Sequence, residues 1–240
     1  MPRLRPFFSY YGSKWRISGK YPAPTTNTII EPFAGGATYA LRYHDKQVIL
    51  NDLDPILATT WRYLIETPEA DILALPDLAE GQSVDDLDIP QGARYLIGFW
   101  LNKGKSSPGK TMGAWMRKAQ GTPQATQFWG PKIRQRIAHQ QQYIRHWRVT
   151  NLSYNDLAEV EATYYVDPPY QGRAGTYYRC SSKGFDYSAL AAWCQSRQGQ
   201  VIVAENAGAD WLPFSHLCDA KSIKSDLGEH RSKEVIWTNA

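Results

Sequence analysis

The chain has 240 residues, 42% hydrophobic and 21% charged, with a formal net charge of +4. This composition excludes a disordered chain, and the length suits one large domain or a domain carrying an insertion. No apolar run reaches the roughly 18 residues a membrane span needs, and the start, MPRLRPFFSYYGSKWR, lacks the apolar stretch and cleavage site of a signal peptide. A cytoplasmic protein without membrane contact is the expectation.

In chain order, TIIEPF predicts a short strand, followed by a glycine turn, a helix over Ala37 to His44 and a second strand, QVILND. Strand, glycine-rich turn, helix, strand is the start of a βαβ unit. A helix from Pro55 to Glu66 follows. A helical, acidic stretch then ends in SVDDLDIPQG, which reads as a linker. KGKSSPGKT reads as a loop and IRQRIAHQQQYIRHW as an amphipathic helix. Beyond residue 150, strands are predicted at RVTNLS, TYYVDPPY, QVIVAEN and EVIWTN, with a helix over DYSALAAWCQSRQ that Asp186 can cap. The α/β pattern therefore occupies 1–60 and 150–240, interrupted by 61–149.

Charge is distributed unevenly. From Ile89 to Asn155 there is no Asp or Glu, yet eleven of the 27 Lys and Arg lie there, leaving 16 basic residues against all 23 acidic ones elsewhere. A basic segment within an acidic protein points to a polyanionic partner. Trp100, Trp115, Trp129 and Trp147 fall in the same region. Most of its aromatics are expected in a small helical core, although aromatics beside cations also describe a nucleic-acid surface.

The chemistry gathers at predicted strand ends. A doubly wound sheet binds ligands at the carboxyl ends of its strands, where EPFAGGAT supplies a turn of small residues. Neither GxGxxG nor GxxxxGK[ST] is present, which argues against a dinucleotide or nucleoside triphosphate. Asp52, at the end of the next strand, suits the two hydroxyls of a ribose. In VDPPY, two successive prolines stop the strand near Asp167 and hold Asp167 and Tyr170 stiffly. The cysteines Cys180, Cys194 and Cys218 are odd in number without CxxC spacing, so they suggest neither a disulfide framework nor a zinc site. No metal ligand cluster is evident.

YYGSK near the N-terminus, EPFAGG on the first strand and VDPPY after a basic insertion, in this order, resemble the Dam-like DNA adenine-N6 methyltransferases, which use S-adenosyl-L-methionine. The resemblance covers the whole chain. It implies an α/β Rossmann-like sheet, mainly parallel with seven strands and helices on both faces. Residues 1–60 and 150–240 would form the discontinuous catalytic domain, and 61–149 an inserted, mostly helical target-recognition domain. Tyr10, Tyr11, Gly12 and Lys14 match the motif that packs on the cofactor. Glu31, Pro32, Phe33, Ala34, Gly35 and Gly36 match the loop around its methionine portion, and Asp52 the ribose acid. Asp156 matches the acid for the cofactor's adenine, and Phe185 an aromatic beside the cofactor. Ser13 and Ala37 depart from glycines frequent in the family.

On this reading Asp167, Pro168, Pro169 and Tyr170 are catalytic, and Asp167 also contacts the cofactor. Adenine's exocyclic amine is a poor nucleophile because its lone pair is delocalised. Asp167 and the Pro168 carbonyl would accept its hydrogens, localising and orienting that lone pair, while Tyr170 stacks on a base flipped out of double-stranded DNA. QGRAGTYYRCSSKG is a candidate lid. The three cysteines follow Arg179, Trp193 and Leu217, not the proline that precedes a cytosine-C5 nucleophile. Phosphate contacts are expected from Lys103, Lys105, Lys110, Arg117 and Lys118, and from Lys132, Arg134 and Arg136. Asn102, Gln124 and Gln127 are candidates for reading adenine edges. Cytosine-N4 methylation and a non-catalytic DNA-binding relative are the alternatives. A cognate restriction endonuclease stays open as a partner, and a unit of this size is expected to work as a monomer or weak dimer.

Overall fold

The structure, a computed structural model, describes residues 2–221 and 231–239. Its centre is a seven-stranded sheet of β1 (Thr28–Glu31), β2 (Gln47–Asn51), β3 (Arg148–Thr150), β4 (Ala162–Val166), β5 (Gly199–Asn206), β6 (Ser215–Lys221) and β7 (Arg231–Thr238). The spatial order is β3-β2-β1-β4-β5-β7-β6. β1 to β5 pair in parallel, while β7 runs antiparallel between β5 and β6. The chain builds outward from β1 to β2 and β3 on one side, then returns to lay β4 on the other. The two directions of winding therefore part between β1 and β4, where an open α/β sheet has its crevice.

The strands alternate with period two, and both faces are buried. On β4, Tyr165 joins one core while Tyr164 and Val166 join the other; Ile202 and Ala204 on β5 oppose Val201 and Val203 in the same way. One face is covered by α6 (Tyr187–Ser196), which Asp186 caps by accepting from the Ala189 N–H at 2.9 Å. The other face carries α1 (Pro55–Glu66), whose N-cap Asp54 accepts from the Ile56 N–H and whose Pro55 preforms the first turn. α1 buries Leu57, Ala58, Trp61, Leu64 and Ile65 and stops before Pro68.

Segment 61–149 continues with α2 (Glu69–Leu73), α3 (Gln91–Leu101), α4 (Ala114–Ala119) and α5 (Pro131–Gln141). Its apolar residues share one core with the sheet: Leu96, Phe99, Trp100 and Ile137 join Ile29, Leu41 and Leu50. Trp61 contacts both Phe7 and Trp147 at ring-centroid distances of 5.9 and 6.0 Å. The indole N–H groups of Trp100 and Trp129 donate to the carbonyls of Phe7 and Pro76, each at 2.9 Å. Trp115 alone of the segment's five tryptophans is exposed, at 81%.

Three local expectations are corrected. The helix over 37–44 is reduced to a single 3₁₀ turn at Ala40–Tyr43. Its approach is a bend in which Gly35 and Ala37 both take positive φ, 46° and 49°, and the buried Glu31 carboxylate accepts the Ala40 N–H at 2.7 Å. SVDDLDIPQG is folded as well: Ser83 and Asp86 form a capping box around a 3₁₀ turn that buries Val84. Finally, β6 is not among the strands that residue pattern predicts. SHLCDAK is an edge strand carrying His216, Asp219 and Lys221, without the apolar alternation of a half-buried strand.

Candidate functional site

At the carboxyl ends of β1, β2 and β4 lies a cavity of about 340 Å³. Each strand ends in a carboxylate there. Asp52 holds the glycine turn: its Oδ2 accepts the Gly35 N–H and its Oδ1 the Asp54 N–H, both at 2.9 Å. Burial pushes the Asp52 carboxyl up to about 6 against those two N–H groups. The turn is pinned from behind, where the Trp61 indole donates to the Gly35 carbonyl at 2.9 Å. Glu31 lies deeper, held well above the usual carboxylate range by burial. An aromatic end completes the cavity, with Phe33 and Phe185 at 6.0 Å and Tyr154 packed behind both.

Beyond β4, the prolines turn the chain across the sheet's end. Tyr187 donates to the Pro169 carbonyl at 2.6 Å, and the buried Glu205 accepts the Gln171 N–H at 3.0 Å. The loop 167–171 is thus clamped from α6 and from β5. Burial raises the Asp167 carboxyl to about 6; the Lys14 ammonium pulls it down and Glu234 pushes it up. Burial likewise pushes Glu205 up to about 7.

A wider cleft of about 1540 Å³ opens on the other side of this loop. Asp167 walls the small cavity and Tyr170 the large cleft, and Tyr10 to Lys14 wall both. Tyr178, from the segment after the prolines, also borders both spaces. Its ring meets Tyr10 and Tyr11 at 6.1 and 5.3 Å, and a Cβ on Gly12, at φ 71°, would lie 2.1 Å from its hydroxyl oxygen. Arg179 reaches Asp54 at 3.4 Å, and Ser106 donates to the Tyr177 carbonyl at 2.6 Å. Segment 171–184 consequently spans from the sheet's end to the N-terminal motif and to the loop after α3.

Most residues proposed from sequence as cofactor contacts stand around the cavity: Tyr10, Tyr11, Gly12, Lys14, Glu31, Phe33 to Gly36, Asp52, Asp167 and Phe185. Pro32 lies outside its wall, its carbonyl taken by the Asn51 side chain at 3.0 Å. Asp156 is exposed on the 3₁₀ turn Tyr154–Asp156, also outside the wall.

The basic residues divide. Lys103, Lys132 and Arg136 line the cleft, joined by Arg5, Arg16 and Gln127. Arg136 stacks on Trp100 at 5.0 Å and donates to the Pro6 carbonyl, and burial lowers its guanidinium to about 10. By contrast, Asn102, Lys105, Lys110, Arg117, Lys118 and Arg134 lie off the cleft wall. Lys110 and Arg134 are ion-paired to Asp85 and Asp77, both at 2.6 Å. Acidic residues preceding the basic stretch fold back onto it, so its charge is partly neutralised. Sequence reasoning missed Glu234, 4% exposed on β7, and Arg5, which no spacing marks because tertiary folding alone brings them here; Tyr178 was covered only as part of the candidate lid.

Five parallel strands wound outward from a crevice between β1 and β4, with an antiparallel β7 inserted between β5 and β6, make this a Rossmann-like methyltransferase fold. Residues 10–87 match the family model for D12 class N6 adenine-specific DNA methyltransferase, an enzyme family. That span holds the N-terminal motif, the glycine turn, Asp52 and α1, and ends before the loop at Asp167. No curated protein matches the chain.

Proposed function

We propose that the protein methylates the exocyclic amine of a flipped adenine in duplex DNA, taking the methyl group from S-adenosyl-L-methionine and leaving S-adenosyl-L-homocysteine. The observation that carries this reading is the two-sided loop: Asp167 on a small cavity and Tyr170 on a large cleft with basic walls, two prolines apart in the chain.

The cavity suits the cofactor. Its volume falls in the range of small-ligand sites, about 300–1,000 Å³. Asp52 uses one lone pair of each oxygen on backbone N–H groups, and a carboxylate's remaining acceptor sites suit two ribose hydroxyls. Phe33 and Phe185 offer aromatic surface to a purine, and the glycine turn admits a close backbone approach. When bound, S-adenosyl-L-methionine supplies an electrophilic methyl on a sulfonium.

The rest is the work of the chain. Asp167, ionised above about 6, accepts a hydrogen from the amine, and the Pro168 carbonyl accepts the other; the Pro169 carbonyl is already engaged by Tyr187. Together they localise the lone pair and aim it. Tyr170 stacks on the base. The clamps from Tyr187 and Glu205 fix this geometry beforehand, which is where a direct transfer gains most of its rate. The amine's proton can leave after the methyl arrives, so Asp167 need act only as an acceptor. Segment 171–184 covers the cavity, and 61–149 serves as the recognition domain, with Lys103, Lys132 and Arg136 gripping phosphates.

The test is transfer of labelled methyl from S-adenosyl-L-methionine to unmethylated genomic DNA, followed by nucleoside mass spectrometry. N6-methyladenine that disappears with Asp167→Ala is the expected result. N4-methylcytosine would overturn the choice of base, and DNA binding without transfer would favour a non-catalytic relative.

A further inference from the structure

We infer that Glu234 is a positioning residue for methyl transfer, holding Tyr170 in place and keeping the Lys14 ammonium off Asp167. The inference rests on the methyltransferase reading above and extends it to a residue on the far side of the sheet.

The topology explains how β7 reaches the site. The five parallel strands deliver their carboxyl ends to the cavity, whereas β7 runs antiparallel and delivers its beginning. Its register pairs Glu234 with Asn206, the last residue of β5. Glu234 is thus the residue of β7 that arrives level with the loop following β4.

Its Oε2 carries the contacts that matter here: it accepts the Tyr170 hydroxyl at 2.9 Å and lies 3.2 Å from the Lys14 Nζ. Oε1 lies 3.2 Å from the Ser232 hydroxyl, whose shorter bond, at 2.7 Å, is donated to the Asn206 side-chain carbonyl. Lys14 Nζ in turn sits 4.2 Å from the centroid of the Tyr170 ring. Lys14, Tyr170 and Glu234 therefore close a triangle, and all three are less than 9% exposed. The carboxylate on its hydroxyl holds the Tyr170 ring at its far end, and the Lys14 side chain packs against one face. A base stacked on that ring is then set relative to Asp167, three residues earlier on a stiff loop.

Glu234 also acts electrostatically. A buried ion pair adds little to stability, because desolvating two charges offsets most of their attraction. Its usefulness here lies in what Lys14 would otherwise do. Asp167 also lies within the field of that ammonium, which pulls its carboxyl down against the effect of burial. Without Glu234, Asp167 is the carboxylate left to pair with Lys14, and an oxygen held in an ion pair is lost as an acceptor for the amine. Glu234 occupies Lys14 and leaves Asp167 free.

Glu234→Gln tests this, since it is nearly isosteric and keeps an acceptor for the Tyr170 hydroxyl. Glu234→Ala is its harsher companion, and melting temperature and cofactor titration report whether each variant is folded. Misplacement of a reacting group by about 1 Å costs on the order of 100-fold. A fall of about 10- to 100-fold in kcat is therefore expected for Glu234→Gln, with KM for both substrates changed less than about threefold. The decisive variant is Lys14→Met combined with Glu234→Gln, assayed at saturating cofactor. Removing the ammonium frees Asp167 again, so the double variant should turn over faster than Glu234→Gln alone, a rescue that a merely structural role would not produce. Wild-type kcat in Glu234→Gln, a loss confined to KM, or a double variant slower than the single would each overturn the inference. If the wild-type chain itself transfers no methyl, the methyltransferase reading fails first, and this inference with it.

Discussion

The cavity at the ends of β1, β2 and β4 and the cleft walled by Lys103, Lys132 and Arg136 hold charge in opposite ways. In the cavity, buried carboxylates are matched to specific N–H groups: Glu31 to Ala40, and Asp52 to Gly35 and Asp54. Each bond fixes one backbone position. On the cleft wall Lys103 and Arg136 are backed by aromatic rings instead of acids, Arg136 on Trp100 and Lys103 on Phe128 at 5.4 Å, with Glu234 the sole acid among the described lining residues. A small ligand of fixed shape calls for the first arrangement. A long polyanion, recognised at its backbone by net charge, calls for the second.

This contrast predicts unequal losses. The largest should come from Asp167→Ala, which removes the acceptor where the two spaces meet: transfer falls at least about 100-fold, while cofactor affinity measured by calorimetry stays within about threefold. Similar losses in both would merge cavity and loop into one structural unit. Next is Asp52→Ala, which frees two N–H groups as well as the ribose acceptors. A hydrogen bond to a charged group contributes about 1.5–3 kcal/mol, so the loss of even one ribose contact should lower cofactor affinity at least about tenfold with DNA binding nearly unchanged.

A smaller effect follows from acidity. The Asp167 carboxyl, raised by burial to about 6, must be ionised to accept from the amine. A pH–rate profile should be flat above about 6 and fall about tenfold per unit below it. Stability moves the other way for this group. The folded state binds the proton more tightly than the unfolded chain, so its contribution to stability is fully present below about 4 and is lost as pH rises through about 6. A rate limb at the ordinary carboxylate value would remove Asp167 from that role.

The smallest expected effect separates the cations from each other. Neutralising Lys103, Lys132 and Arg136 together should flatten the salt dependence of DNA binding by about 0.9 in log–log slope for each phosphate that is no longer neutralised. Lys110→Ala and Arg134→Ala should leave the slope nearly unchanged, because Asp85 and Asp77 already pair those side chains. Equal slopes for the two sets would mean that the cleft wall has no special part in binding.

How much of this was legible in the sequence depended on how local the signal was. The buried parallel strands stood out because both their faces are apolar, and α1 and α6 because Asp54-Pro55 and Asp186 mark their starts. The glycine turn and the proline pair were visible as unusual backbone chemistry at strand ends. Edge strand β6 was not, since half its residues are polar and its pairing partner follows it in the chain. The helix expected over 37–44 failed because the Glu31 and Asp52 carboxylates hold the preceding turn in a shape that a regular helix cannot continue. Charge composition located the basic segment correctly but not its neutralised part, because the pairing acids lie at 77 and 85, before it in sequence.

The core shared by the sheet and residues 61–149 has a practical consequence for engineering. Trp61 lies between Phe7 and Trp147, and Trp100 is tied to the Phe7 carbonyl, so the described core does not mark where 61–149 stops and the sheet begins. Such a chain should melt in one cooperative step, and the segment cut out alone should not hold its shape. If the segment reads DNA as proposed, grafting a different specificity would therefore mean transplanting the tryptophans that anchor it along with its surface.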